Sequence, residues 1–187
     1  MRVVSTVSVK DIDWAKDRRA RAHKTCGSFD RFPELKSDQR WVGDLAELVI
    51  HRELGEWGID HEWNAPESEN QDVFVPPKHR ISVKSRKCAR RPATYYEVHC
   101  LEKHAMSTDY DWLVFLVYVH KKMEMHIMGA VCRFRFLAES HRKSKTSGAD
   151  TNAYTARATN RHIQCHSLLP PADWLCYLRM DQSAHNL

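Results

Sequence analysis

Gly43-Asp44-Leu45-Ala46-Glu47, then Gln71-Asp72-Val73-Phe74-Val75, then Ile81-Ser82-Val83-Lys84-Ser85-Arg86 are the three segments that decide how this chain folds. The first opens an apolar stripe, Leu45, Leu48, Val49, Leu54 and Trp57, at the spacing of one helix face. It predicts a helix from near Asp38 through Leu54 or on to Trp57, ended by Gly58. The other two are short runs rich in β-branched residues, with Pro76-Pro77-Lys78-His79-Arg80 between them as a hairpin loop. Side chains two apart on a strand share a face, so Lys84 lies on the side of Ser82, and Arg86 follows it. A helix carboxylate (Glu47), a carboxylate at a strand start (Asp72) and an amine on the next strand (Lys84) are therefore expected to meet at one rim.

Outward from this centre, the N-terminal run Val3 to Val9 alternates weakly and reads as an edge strand or an unstructured start. Asp11 to Lys24 has good helix formers and an acidic first turn, and Gly27 stops it. Arg31 to Arg40, containing Pro33, is a polar connection, and Ile59 to Asn64 makes a short strand. Tyr95 to Leu101 is the next strand, and Glu102 to Ser107 a short helix or turn. Trp112 to His120 is a continuous apolar run, as expected of a central strand buried on both faces, with Met123 to Val131 as its hairpin partner. Cys132 to Ser140 is a helix or a last strand segment, and Ser144 to Asn152 reads as a mobile loop. Tyr154 to Ser167 holds one more strand, and Pro170-Pro171-Ala172-Asp173-Trp174 opens a short terminal helix. This order predicts a mixed α/β fold around a central sheet. Residues 1–187 are expected to form a single domain, with its core at about 35–131, an N-terminal helix over 11–26 and a C-terminal strand and helix over 153–180.

The bulk composition excludes several classes. At 42% hydrophobic and 28% charged, the chain is an ordinary globular sequence. The longest apolar run, Trp112 to Val119, is too short to span a bilayer, and no apolar leader core follows Met1. A cytoplasmic protein is expected, with Cys26, Cys88, Cys100, Cys132, Cys165 and Cys176 as reduced thiols. No P-loop, dinucleotide fingerprint or Gly-x-Ser-x-Gly elbow is present, so no nucleotide cofactor is expected. The clusters Cys88, His99, Cys100, His104 and His162, Cys165, His166 lack paired zinc-site spacing and read as scattered core and surface residues. The net charge of +5 favours a polyanionic partner without specifying one. Its distribution says more. Lys84 to Arg91 is a basic run beside the converging acids, and His141 to Lys145 is a second cluster that reads equally as a solvated surface.

Such a rim has a chemistry. Hydrolysis of a phosphodiester needs an activated water, neutralised charge on the phosphate and help for the leaving oxygen, and a magnesium ion held by carboxylates with open positions serves all three. Glu47 and Asp72 are the candidate ligands, with the backbone carbonyl of Val83 as a third oxygen on a strand edge. Lys84 is the candidate for orienting the water or stabilising the pentavalent state. His79 and Arg80 lie near this rim in the predicted loop, where turn chemistry is the preferred reading.

These motifs resemble the PD-(D/E)XK nuclease superfamily. Gly43-x-x-x-Glu47 is similar to its helix motif, Asp72 to the aspartate of its first strand motif, and Ser82-Val83-Lys84 stands at its (D/E)XK triplet. The strand after Asp109-Tyr110-Asp111 resembles the core strand that follows, so the likeness covers roughly Leu35 to Val131. The resemblance implies a restriction-endonuclease-like central mixed β-sheet flanked by helices and a Mg2+-dependent DNA endonuclease in which Mn2+ substitutes. In this reading Glu47, Asp72, Ser82 and Lys84 are the catalytic set, and Arg86, Lys87, Arg90 and Arg91 contact DNA. Many similar proteins act as homodimers, and small stand-alone versions occur in phages, mobile elements and restriction systems. Ser82 departs from the pattern, since the family has an acid there. Three arrangements follow: Ser82 acts through water, or a carboxylate has migrated to Glu97 on the neighbouring strand or to Glu69, or the site is inactive and the fold is a nucleic-acid-binding or regulatory protein.

Overall fold

Eight residues in a row with apolar side chains, Trp112 to Val119, can stay extended only where both faces are covered, and the rest of the chain supplies the cover. The computed structural model describes residues 3–25, 40–63, 72–93, 95–143 and 159–185. Along the chain these form β1 (Val3–Thr6), α1 (Val9–Thr25), α2 (Trp41–Glu56), β2 (Glu62–Trp63), β3 (Val73–Val75), β4 (His79–Cys88) and β5 (Glu97–Leu101). There follow α3 (Glu102–Ala105), β6 (Trp112–Val119), β7 (Glu124–Cys132), α4 (Arg133–Glu139), β8 (His141–Lys143), β9 (Asn160–Gln164) and α5 (Pro171–His185). The predicted start of α2 near Asp38, the loop over 144–152 and residues 153–158 lie outside the described residues.

The central sheet has the order β1-β7-β6-β4-β3-β2. β4 and β6 are parallel, in register from Ile81 opposite Trp112 to Cys88 opposite Val119, and the remaining neighbours are antiparallel. The sheet is thus mixed, with helices against it. On one face Val114, Leu116 and Tyr118 of β6 and Val83 of β4 pack with α2 and with Trp174, Leu175 and Leu178 of α5. On the other, Leu113, Phe115, Val117 and Val119 pack with Val98, Cys100, Ala105, Phe136 and Ile163. Each fully buried side chain of this size contributes about 1.5–3 kcal/mol.

Two parallel strands cannot be joined by a tight turn, so the chain between β4 and β6 must cross a face of the sheet. That crossing carries β5 and α3, and β5 pairs with β9, which pairs with β8, as a second three-stranded sheet. The segment Tyr95 to Leu101, expected as another strand around one sheet, therefore belongs to a separate layer. Two further positions differ from expectation. His79 and Arg80 are not in the hairpin loop but open β4, opposite Val75 and Phe74. β4 also runs on to Cys88, because it is held against β6 from Ile81 onward.

The end of α2 follows the sequence. Gly58 has φ +66°, its N–H donates to the Gly55 carbonyl (2.9 Å), and the Ile59 N–H donates to the Leu54 carbonyl (2.9 Å). This paired closure needs a left-handed residue, which glycine supplies without strain.

Candidate active site

The unequal lengths of β3 and β4 make the site. β3 covers β4 only from His79 to Ile81, and beyond Ile81 that edge of β4 carries no further strand among the described residues. Asp72 sits at the step. Its N–H donates to the Ile81 carbonyl at 2.9 Å, and its carboxylate Oδ2 accepts the Val83 N–H at 2.5 Å and the Ser82 hydroxyl at 3.2 Å. Lys84 Nζ in turn donates to Ser82 Oγ at 2.7 Å. A hydrogen-bonded chain thus runs from Lys84 through Ser82 to Asp72. The N–H and C=O of one strand residue point to the same edge, so the Val83 carbonyl faces the open side with its N–H.

Glu47, on α2, is near enough to Asp72 to feel its charge. Its Oε2 lies 3.0 Å from Arg18 Nη1 on α1. The Arg18 guanidinium lies over the rings of Trp14 (5.4 Å) and Trp63 (5.2 Å), whose centroids are 5.3 Å apart. One turn earlier on α2, Asp44 accepts from Arg19 Nε at 2.7 Å and has Arg18 Nε at 3.6 Å. The seat of Arg18 is thus built from two tryptophans and two acids, and it is pre-shaped to hold a cation against Glu47.

Three acids, Glu47, Asp72 and Asp44, stand against three cations, Arg18, Arg19 and Lys84. Burial, followed by the charge of Asp72, pushes the Glu47 carboxyl up to about 7, with Arg18 pulling against them. Burial also raises Asp72, against the opposing pull of Lys84, the Val83 N–H, Ser82 and Arg18. Asp44 is raised by burial although Arg19 and Arg18 face it. Two adjoining acids thus resist ionisation with cations beside them, chiefly because burial penalises the charged form.

The other residues singled out by sequence fall in different places. Ser82 is fully enclosed (0% exposed) and bridges Asp72 and Lys84. Glu97 does not join Asp72 and Glu47. It lies on β5, whose partner is β9 rather than β4, and is engaged by Lys143 Nζ at 2.7 Å and by His162 and His141 at 3.4 and 3.5 Å. Its burial acts upward, but the Lys143 hydrogen bond and neighbouring cations leave it below the usual range. Glu69 lies outside the described residues. Arg86, Lys87, Arg90 and Arg91 line one groove, with the Arg86 guanidinium over Tyr96 (5.7 Å) and Lys87 Nζ over Trp41 (5.8 Å).

His79 and Arg80 serve the scaffold: His79 Nε2 is 2.9 Å from Asp181 Oδ2, and Arg80 forks onto Asp111 at 2.9 and 3.0 Å. Among the described residues, no three His, Cys, Asp or Glu side chains form a ready cation cage. Likewise, no helix there is long and apolar enough to cross a membrane.

Arg18 is the residue that sequence reasoning missed. Trp14 one turn before an Arg-Arg pair was a visible signal, but its meaning depends on where α1 docks. No family model matches this chain. No curated protein matches it either.

Proposed function

We propose that this protein is a magnesium-dependent DNA endonuclease of the PD-(D/E)XK type working with two carboxylates. The observation that carries the reading is the hydrogen-bonded chain from Lys84 through Ser82 to Asp72 at a strand step, with Glu47 near enough to feel the charge of Asp72 and both acids raised chiefly by burial. The donor set fits Mg2+, which takes oxygen ligands, keeps several waters and is commonly held by one or two carboxylates plus substrate phosphate. Glu47, Asp72 and the Val83 carbonyl are the groups that would hold it. Once bound, the ion supplies an activated water and neutralises charge on the phosphate.

The chain's own groups do the rest. The Lys84 ammonium, steadied by Ser82 Oγ, can donate to the attacking oxygen or to the oxyanion growing on phosphorus. Arg86, two residues further on the same strand face, can neutralise an adjacent phosphate. A hydroxyl at position 82 suits this enclosed spot, because a third acid there would face two carboxyls that already resist ionisation. Arg18 must release Glu47 for a metal ion to use it.

One observation favours a second reading. The Arg18–Glu47 ion pair already supplies a cation, as expected of an inactive DNA-binding protein on the same fold. Incubation of supercoiled plasmid with Mg2+ or Mn2+ separates the two. The enzyme reading predicts nicking by the wild type and a loss of at least about a hundredfold in Asp72→Asn and in Lys84→Met, with both variants retaining a cooperative melt. Nicking by Asp72→Asn at the wild-type rate would place the chemistry elsewhere. A wild type inert on duplex, single-stranded and branched DNA, with no metal-induced rise in melting temperature, would favour the second reading.

A further inference from the structure

Beyond Lys84 the free side of β4 leads into a groove of about 860 Å3. Its described lining has five cationic side chains, Arg86, Lys87, Arg90, Arg91 and Lys143, of which Lys143 holds Glu97 at 2.7 Å and Arg91 forks onto Glu124 at 2.8 and 3.1 Å. Two tyrosines stand among these cations. Tyr96 lies under the Arg86 guanidinium, packs against the second hydrophobic cluster, and with Arg86 also lines a small depression beside Lys84. Tyr95 is 78% exposed and belongs to neither hydrophobic cluster.

Cations alone suit any phosphate backbone. An exposed aromatic ring, Tyr95, set among them suits something narrower. In an intact duplex the base faces are stacked on one another and cannot reach a side-chain ring, whereas an unpaired strand offers every base face for stacking.

We propose that this groove binds an unpaired segment of DNA, with a base stacked on Tyr95 and its phosphates on Arg86 and Arg90, and delivers that strand to Lys84. The inference rests on the endonuclease reading and narrows its substrate to DNA with a single-stranded part, such as an overhang or a flap. Along β4, Lys84 and Arg86 are separated by two strand residues, about 6.6 Å, so the cation track begins at the catalytic lysine itself.

The test is binding measured by fluorescence anisotropy in excess chelator, where no cutting can occur. A short labelled oligodeoxythymidylate, a duplex of the same length and an oligouridylate are compared. The deoxy single strand is expected to bind at least about tenfold more tightly than the duplex. Tyr95→Ala is expected to weaken single-strand binding by about tenfold, within the range for one stacked base, with duplex binding unchanged and Tyr95→Phe close to wild type. Arg90→Ala is expected to weaken both ligands and flatten their salt dependence. Equal affinity for single strand and duplex, an unaffected Tyr95→Ala, or tighter binding of the ribonucleotide strand would each overturn the proposal. Because the assay needs no metal, single-strand preference without cutting in Mg2+ sinks the endonuclease reading alone, and cutting without single-strand preference sinks the groove alone.

Discussion

Glu47 and Asp72 are held in a place that penalises their charge, and this has a measurable consequence. A carboxyl raised from 4.5 to about 7 is protonated in the fold where it would be ionised in the unfolded chain. Its favourable contribution is complete below about pH 4.5 and is lost as pH rises through about 7, a swing on the order of 3 kcal/mol. Asp72 is raised too and acts in the same direction. The metal-free protein should therefore melt lower above pH 7 than near pH 5.5. Glu47→Gln should flatten that dependence and raise the metal-free melting temperature above pH 7 by several degrees, while losing the stabilisation that Mg2+ gives the wild type. A Glu47→Gln protein that melts below wild type there would mean that the Arg18–Glu47 pair is a net structural bond, and the account of a strained, cation-seeking site would be wrong. At this scale the sequence was informative about the groups but not about their state. Glu47, Asp72 and Lys84 could be picked out by type and spacing, whereas the enclosure of Ser82 and the seat of Arg18 depend on contacts made by residues far away in the chain.

Strand β4 is the element on which the site depends, and it was only half legible. Ile81 to Lys84 reads as a strand from its β-branched alternation, and α2 reads to its final glycine. Ser85-Arg86-Lys87-Cys88 reads as a basic tract, yet it is extended because β6 pairs with it residue by residue, a case of tertiary pairing overriding local preference. The pairing depends on β6 lying flat against β7, where the register shifts between Phe115 and Leu116. Gly129, opposite Phe115, adopts φ +142°, and a Cβ there would lie 2.6 Å from the Leu169 carbonyl oxygen and 2.8 Å from Leu168 Cβ. Both obstacles are close to the backbone, so the fold cannot easily yield. Gly129→Ala should cost about 2 kcal/mol or more in a urea unfolding curve. A variant within about 0.5 kcal/mol of wild type would show that the close approach of this strand to Leu168 and Leu169 is not required.

For the whole molecule, the candidate site draws on three segments of the chain. α1 brings Arg18, the β3–β4 hairpin brings Asp72, Ser82 and Lys84, and α2 brings Glu47. α5 fixes the hairpin from behind: Gln182 exchanges hydrogen bonds of 2.9 Å with the Asp60 backbone and donates to the Pro76 carbonyl at 3.2 Å, and Asp181 takes Lys78 and His79. Periodicity announced most of these helices and strands, because each must hide an apolar face. It could not announce the second sheet, since β5 and β9 are distant in sequence and their pairing is decided by what covers Phe115 and Val117. Nor could it say which helix would lean over the acids.

A crystal soaked in Mn2+ and recorded at the manganese absorption edge shows whether Glu47 and Asp72 seat a divalent cation beside Lys84. The expected result is one anomalous peak in contact with the carboxylate oxygens of residues 47 and 72, with the Arg18 guanidinium turned away from Glu47. No peak there at saturating Mn2+, with Arg18 still on Glu47, would contradict it.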